Sequence, residues 1–153
     1  MRQFTEEQTL FRSSYRQFLE EEIAPHMAKW REAGIVDRSA FRKAGERGML
    51  MIWPDEKYGG LGDPDFRWDQ IIIEETARAE TGEFFATLHS RLVGPYFKNI
   101  GNEEQRERFL PKCISGETIL AVAMTEPGAG SDLSGMRSTV RDMGDHLILN
   151  GSK

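Results

Sequence analysis

Apolar side chains recur at helical spacing in the first part of the chain, from Thr5 to about Pro25. One face of a helix over this range carries Phe11, Tyr15, Phe18, Leu19 and Ile23. Thr5 precedes Glu6 and Glu7, and a threonine followed by acidic residues is typical of a helix N-terminus. The pattern therefore predicts an amphipathic helix that begins after Thr5 and ends near Pro25.

Cap and turn residues predict the next elements. Ser39 is the expected N-cap of a short helix that ends near Met49. Residues 53–65 are rich in glycine, proline and aspartate, which is typical of a loop. An apolar face then runs through residues 66–80 and indicates a helix that is broken near Gly82.

Two more helices complete the predicted helical part. Residues 84–100 are apolar around the whole circumference and contain Gly94 and Pro95, so we expect a buried and kinked helix. Asn102 is the expected N-cap of an amphipathic helix with a charged outer face. This helix is expected to end at residues 115–116.

The pattern changes after Gly116. Residues 117–126 are β-branched and apolar, as in a strand buried on both faces. Two more strands are predicted over residues 136–142 and 145–150, joined by a tight turn at Gly144 and Asp145.

The predicted fold class is therefore α+β. An all-α helical domain over residues 1–116 precedes the start of a mostly antiparallel β domain over residues 117–153. A sheet of three short strands would keep an unpaired edge, so we expect the chain to be truncated relative to a working enzyme.

Composition and charge exclude several functions. Hydrophobic residues make up 39% of the 153 residues and charged residues 29%, as in globular proteins that fold in water. The formal net charge is −5 without a basic stripe, so nucleic acid is not an expected partner. No apolar run is long enough to span a membrane, and the polar start MRQFTEEQ argues for a cytoplasmic location. One cysteine and three dispersed histidines predict neither a disulfide nor a metal site.

The segment AMTEPGAGSD, residues 123–132, is the strongest candidate for chemistry. Gly128 and Gly130 permit positive φ angles and the close approach of a flat ring or a diphosphate, while Thr125 and Ser131 add hydroxyl groups. A dinucleotide-binding G-x-G-x-x-G motif fails because its third glycine position is Leu133, and a P-loop fails for lack of its Gly-Lys-Ser/Thr ending. The expected ligand is anionic, polar and partly planar.

The strings AMTEPGAGSDLSGM and ILNGSK resemble the acyl-CoA dehydrogenase family, particularly its long-chain type, and the resemblance extends over the whole chain. It implies an FAD-dependent oxidoreductase of fatty acid β-oxidation. Met124 and Thr125 would lie near the flavin ring, with Gly130 and Ser131 facing the pyrophosphate and Ser131 also contacting the acyl-CoA substrate. The implied cofactor-binding residues are Val122, Ala123, Met124, Thr125, Gly128, Ala129, Gly130 and Ser131.

The implied reaction is α,β-desaturation of an acyl-CoA thioester, in which a carboxylate removes the α-proton and a hydride leaves the β-carbon for the flavin. In the family the base is a glutamate of the C-terminal helical domain, so no catalytic residue is expected here. For Glu126 and Asp132 we expect loop and turn stabilisation. The resemblance further implies electron-transferring flavoprotein as a partner and a homo-oligomer, dimeric or homotetrameric.

Two alternatives remain open. Acyl-CoA oxidases and nitroalkane oxidases share this scaffold and differ in how the reduced flavin meets oxygen. A non-catalytic helical binding module would keep the scaffold without an active site. Single side chains elsewhere have structural interpretations: His89 as a hydrogen-bonded core residue, Trp53 and Trp68 as packing residues, and Cys113 as an inert buried thiol.

Overall fold

A computed structural model describes residues 3–153. The chain divides into two compact units, one ending at Ala121 and the other formed by Val122–Lys153. The first unit is helical and the second contains an antiparallel hairpin, in agreement with the predicted α+β class. The predicted domain boundary between residues 116 and 117 stays a prediction.

The described part of the first unit, residues 3–121, contains six α-helices. A π-helical turn, Leu19–Ile23, and a 3₁₀ turn, Ala24–His26, connect the first two helices, and a second π-helical segment, Leu88–Val93, precedes the fifth. The helices are α1 (Glu6–Phe18), α2 (Met27–Ala33), α3 (Arg38–Glu46), α4 (Arg67–Arg78), α5 (Pro95–Asn99) and α6 (Glu103–Ile114).

Thr5 and Asn102 are the N-caps of α1 and α6, as predicted, and each forms a reciprocal pair with the glutamine three residues later, which was not predicted. The Thr5 hydroxyl accepts the Gln8 N–H at 3.1 Å, and the Gln8 side chain accepts the Thr5 N–H at 3.1 Å. Asn102 and Gln105 repeat this arrangement with distances of 2.8 and 3.0 Å. Each pair satisfies two N–H groups that the helix leaves without an internal partner.

Two helix limits differ from the prediction. The first helical stretch does not end near Pro25, because the π-helical turn before it accommodates the missing N–H and the chain continues helically to Ala33. Gly34, at φ 69°, ends it in the left-handed region. The N-cap of α3 is Asp37 and not Ser39, since the Asp37 carboxylate accepts the Ser39 N–H at 2.8 Å.

The prediction that the helical residues 84–100 are buried is wrong for part of their surface. Phe84, Ala86, His89 and Ser90 are buried, but Phe85, Leu92 and Tyr96 are 57%, 54% and 51% exposed. Apolar composition around the circumference therefore did not place every face in the core of this unit. The predicted kink is present, since the π-helical segment Leu88–Val93 gives way to α5 at Pro95.

Aromatic and aliphatic side chains from α1, α2, α3 and α4 form the main core. The Phe84 ring lies between Phe18 and Phe41, with centroid distances of 6.0 and 5.0 Å. Residues 49–53 are buried and contribute to two clusters, Met49, Leu50 and Ile52 to this core and Met51 and Trp53 to a second one. The second cluster consists of Met51, Trp53, Tyr58, Leu110, Cys113 and Ile114. Burial of these apolar surfaces is the main source of stability for the helical unit.

A buried carboxylate joins α1 to α4. The Glu75 side chain is 2% exposed and accepts hydrogen bonds from Arg12 at 3.1 Å, Arg16 at 2.8 Å and Arg78 at 2.8 Å. The Arg16 hydrogen bond is the main cause that lowers the Glu75 pKa to about 2, against the effect of burial. Three guanidinium groups therefore compensate one buried charge.

The second unit contains the strands β1 (Thr139–Asp142) and β2 (Leu147–Asn150), paired antiparallel with Thr139 opposite Asn150 and Asp142 opposite Leu147. This confirms the predicted hairpin with shorter strands. Gly144, at φ 96°, occupies the turn, where other residues would be strained.

The predicted buried strand over residues 117–126 is wrong. Among residues 3–153 this segment pairs with no strand, and residues 121–125 are exposed. An apolar β-branched run forms a buried strand only where neighbouring strands pair with it and cover both faces. The segment instead belongs to no helix or strand.

Candidate functional site

The predicted ligand segment, residues 122–131, consists of an extended stretch followed by a tight turn. Glu126 and Ala129 close the turn with two backbone hydrogen bonds, of 2.8 Å from the Glu126 N–H and 3.1 Å from the Ala129 N–H. Pro127 and Gly128 stand at its tip, which suits proline's fixed φ and its missing N–H. Glu126 and Ala129 are buried, whereas the other residues of the segment are exposed.

Most main-chain amides of this segment are free. Within residues 3–153, the N–H groups of residues 122–125 and those of Gly128, Gly130 and Ser131 donate no hydrogen bond. The Thr125 and Ser131 hydroxyls likewise have no hydrogen-bond partner among the described residues. Exposed and unpaired donors in one short segment are the groups that bind the oxygens of an anionic ligand.

The two central glycines leave space beside the backbone but do not use the positive φ angles that glycine permits. Neither Gly128 nor Gly130 has a positive φ, in contrast to Gly144 and Gly151 of the same unit. A Cβ atom built on either residue would meet nothing within 4 Å. The benefit of glycine here is therefore open space beside the backbone and not access to the left-handed region.

The Glu126 side chain stabilises the turn. Its carboxylate accepts the Arg137 N–H at 2.6 Å and the Ser138 N–H at 3.2 Å, and Lys153 contacts it at 3.0 Å. These partners, the Arg137 amide first, lower the Glu126 pKa to about 2. The predicted role in loop stabilisation is confirmed, and a carboxylate held ionised in this way is a poor proton acceptor.

Asp132 has a local role as well. Its carboxylate accepts the Ser134 hydroxyl at 2.6 Å and the Ser134 N–H at 3.0 Å, which starts the 3₁₀ turn Leu133–Gly135. The Ser134 side chain is the main cause that lowers the Asp132 pKa. This confirms turn stabilisation as its role.

A cleft lies beside the turn. It has a volume of about 320 Å³. Its lining residues are Glu126, Pro127, Gly128, Gly135, Arg137, Ser138, Gly151 and Ser152. The Ser138 hydroxyl is buried without a hydrogen-bond partner among the described residues. Arg137, Ser138 and Lys153 were not predicted from the sequence, since the sequence offers no local signal that brings residues 137 and 153 to Glu126.

The other conspicuous side chains are structural, as predicted. The buried His89 contacts the Cys113 carbonyl at 3.0 Å and accepts the Leu120 N–H at 3.0 Å. Trp53 donates to the Ser90 carbonyl at 2.8 Å, and Trp68 donates to Asp63 at 2.7 Å. Burial raises the pKa of the Cys113 thiol to about 11, so the nucleophilic thiolate is suppressed.

Over residues 3–153 there is no group of three His, Cys, Asp or Glu side chains placed to hold a metal ion. None of the helices in this described range has the length and apolarity needed to cross a membrane.

Comparison with known proteins identifies the class of protein. The sequence profile described as "Acyl-CoA dehydrogenase, N-terminal domain" matches residues 5–117. The chain therefore belongs to the acyl-CoA dehydrogenase family. It is 47% identical to the mitochondrial long-chain specific acyl-CoA dehydrogenase of Sus scrofa, over 98% of this chain and 35% of the relative.

Solved structures agree with this family. An acyl-CoA dehydrogenase from Geobacillus kaustophilus is 46% identical with a TM-score of 0.91, over 98% of this chain and 39% of that one. An acyl-CoA dehydrogenase from Bacillus anthracis, described as complexed with FAD, is 30% identical with a TM-score of 0.83, over 97% of this chain and 26% of that one. The chain spans little more than a third of the length of its curated long-chain relatives.

Proposed function

We propose that this chain supplies part of the FAD site, and one substrate contact, of a protein that catalyses the α,β-dehydrogenation of fatty acyl-CoA thioesters. The observation that carries the proposal is the open turn at residues 126–131, whose unpaired amides border two glycines with empty space beside them. A family relative described as complexed with FAD shares this part of the fold.

The residues present fit an FAD molecule by their donor set. The free amides of Gly130 and Ser131, with the Ser131 hydroxyl, supply donors for a pyrophosphate. The exposed stretch Val122–Thr125 presents the apolar Met124 and the Thr125 hydroxyl to a flat and partly polar ring. The proposed FAD-binding residues are Val122, Ala123, Met124, Thr125, Gly128, Ala129, Gly130 and Ser131.

The described residues bind and orient, and they do not remove the substrate's α-proton. Both carboxylates near the turn are used by local hydrogen bonds, and the Glu126 pKa is about 2. FAD, when bound, would supply the acceptor for the hydride from the β-carbon. We place the catalytic base outside residues 3–153 and propose Ser131 as the residue of this chain that contacts the thioester substrate.

The substrate and partners follow from the family by analogy. Two of the most similar curated relatives, 47% and 46% identical, are named long-chain specific, which favours a long acyl chain. We further propose electron-transferring flavoprotein as the electron acceptor and a homo-oligomeric assembly. The cytoplasmic location stays a prediction.

The proposal is tested with the full-length protein that contains this chain. We expect it to purify with a flavin absorption band, and an anaerobic addition of a saturated long-chain acyl-CoA to bleach that band. The corresponding 2-enoyl-CoA is the matched control and should not bleach it. A full-length protein without flavin would contradict the proposal.

The same preparation separates the alternatives. A dehydrogenase passes electrons to electron-transferring flavoprotein or a dye with little oxygen consumption, whereas an oxidase consumes oxygen at the rate of substrate turnover. A bound flavin that no acyl-CoA or nitroalkane reduces would favour a non-catalytic module.

A further inference from the structure

Lys153 connects the proposed flavin segment to the hairpin. Its ammonium group contacts Glu126 at 3.0 Å, donates to the Met124 carbonyl at 3.0 Å and lies 3.4 Å from the Met136 sulfur. One side chain therefore contacts both the extended stretch and the turn that follows it.

This contact fixes a stretch that has few others. Among the main-chain groups of residues 122–125, the Met124 carbonyl alone makes a hydrogen bond within residues 3–153. The stretch pairs with no strand in that part of the chain, and its side chains are exposed. Without Lys153, no hydrogen bond of these four residues would restrain their backbone.

The hairpin delivers Lys153 to this position through a close backbone approach. Thr139 pairs with Asn150 at the open end of the hairpin, and Gly151 follows directly. A Cβ atom at Gly151 would lie less than 3.0 Å from the Ser138 hydroxyl, β-carbon and α-carbon. Only glycine lets the chain pass this close to Ser138 and return toward Glu126.

Glu126 also contacts the residues just before the hairpin. The amides of Arg137 and Ser138, just before β1, donate to the two carboxylate oxygens, and the side chain is 6% exposed. Hydrogen bonds to an ionised acceptor are stronger than those between neutral groups. A single carboxylate therefore joins the turn to the residues that enter the hairpin and to the residue that leaves it.

We propose that Glu126 and Lys153 are positioning residues, which together hold residues 124–131 in the conformation that binds the flavin nucleotide. This rests on the proposed function. Neither residue needs to contact the cofactor: Lys153 fixes the stretch beside the proposed ring position, and Glu126 fixes the turn whose amides face the proposed pyrophosphate position.

The test measures FAD affinity of the full-length protein by fluorescence titration of the apoprotein, for Glu126→Gln, Lys153→Met, their double variant and Lys153→Arg. Each disruptive single variant should lose about tenfold in affinity, the range expected for hydrogen bonds to charged groups. The double variant should lose less than the sum of the two single losses, because the Lys153–Glu126 contact is shared, while the Met124 carbonyl and the Arg137 and Ser138 amides are contacts of one residue each. Lys153→Arg keeps the charge and should restore much of the affinity.

Lys112→Met is the matched control. Lys112 is an exposed lysine of the helical unit whose contact to Glu117 is 3.8 Å, and its replacement should leave the FAD affinity unchanged. The visible circular dichroism of the bound flavin provides a readout that a purely structural role would not move, and it should change in Glu126→Gln and Lys153→Met at saturating FAD.

The outcomes separate the two proposals. If the wild-type protein binds FAD and the disruptive variants bind it with the same affinity and the same dichroism, the positioning role is wrong and the proposed function stands. Additive losses in the double variant would also contradict a shared contact. If the wild-type protein binds no FAD, the proposed function fails, and the positioning role fails with it.

Discussion

The imidazole of His89 holds the backbone of Leu120, whose N–H donates to Nδ1 at 3.0 Å. Because Nδ1 accepts, the ring proton lies on Nε2 and is donated to the Cys113 carbonyl, also at 3.0 Å. The bond from Leu120 requires a neutral ring, since protonation would place an N–H on Nδ1 opposite the Leu120 N–H, whereas Nε2 donates to the Cys113 carbonyl in either form. The neutral histidine thus links Cys113 of α6 to Leu120, which lies just before the proposed flavin segment.

This geometry predicts a pH dependence of stability. Burial lowers the His89 pKa below its usual 6.5, so the unfolded chain binds the proton more readily than the folded one. The free energy of unfolding should therefore be greatest above pH 6.5 and fall as the pH decreases from 6.5 through the folded pKa. Denaturant unfolding monitored by tryptophan fluorescence across this range measures it.

His89→Leu is the variant that isolates the effect. It leaves the Leu120 N–H and the Cys113 carbonyl without their partner and should cost about 2 kcal/mol above pH 6.5. Its stability should vary less with pH than that of the wild type between pH 6.5 and the pKa of the carboxylates. Parallel pH profiles for the two proteins would contradict a neutral, hydrogen-bonded His89.

The buried carboxylate of Glu75 gives a second prediction. Glu75→Gln removes the charge that three arginines share and should destabilise the protein by about 2 kcal/mol, below the cost of breaking a fully buried pair because the arginines are partly exposed. Glu74→Gln is the control. Glu74 is 44% exposed and contacts only Arg12 of the three arginines, so its replacement should lower the free energy of unfolding by about 0.5 kcal/mol.

The Glu75 pKa also fixes the sign of the pH effect. A carboxyl whose pKa is lowered to about 2 from 4.5 stabilises the folded state fully above pH 4.5, and this contribution is lost as the pH falls toward 2. The difference in unfolding free energy between wild type and Glu75→Gln should shrink over that interval. A constant difference would show that the charge of Glu75 is not what stabilises the fold.

A close contact between α3 and α6 gives a third prediction. A Cβ atom at Gly45 would lie within 3.0 Å of the backbone of Ser115 and Ile114. Alanine in a helix is normally favourable, but Gly45→Ala should destabilise the protein by about 2 kcal/mol because the two backbones must separate. Gly82→Ala, where a Cβ atom meets nothing within 4 Å, is the matched control and should change the stability by less than about 0.5 kcal/mol. Equal melting temperatures for the two variants would contradict this contact.

Local signals account for what the sequence predicted correctly. The N-caps Thr5 and Asn102 act within one helical turn, and the hairpin around Gly144 is set by its own turn. Such interactions depend on neighbouring residues in the sequence. The helices α1 and α6 and both strands were therefore predictable.

The errors arose where distant residues decide the structure. Residues 117–126 have the composition of a buried strand, but strand formation depends on partners elsewhere in the chain. In the same way, the sequence pointed to the glycine turn at residues 127–130 but not to the contacts of Glu126 with Lys153 and Arg137, which the hairpin brings together. A local motif predicted the segment, whereas the interactions that hold it are non-local.

The open space beside Gly130 gives the last prediction, which separates folding from cofactor binding. A Cβ atom at Gly130 meets nothing within 4 Å, and its φ lies outside the left-handed region, so Gly130→Ala should change the apoprotein's stability by less than about 0.5 kcal/mol. If a pyrophosphate approaches this backbone, the added methyl group should weaken FAD binding by about tenfold in the full-length protein. Fluorescence titration with FAD and thermal unfolding of the apoprotein measure the two effects. Gly82→Ala, in the helical unit, is the control for both. Since nothing in residues 3–153 fills the space at Gly130, an unchanged affinity would mean that FAD does not bind there, and the proposed placement of the pyrophosphate would be wrong.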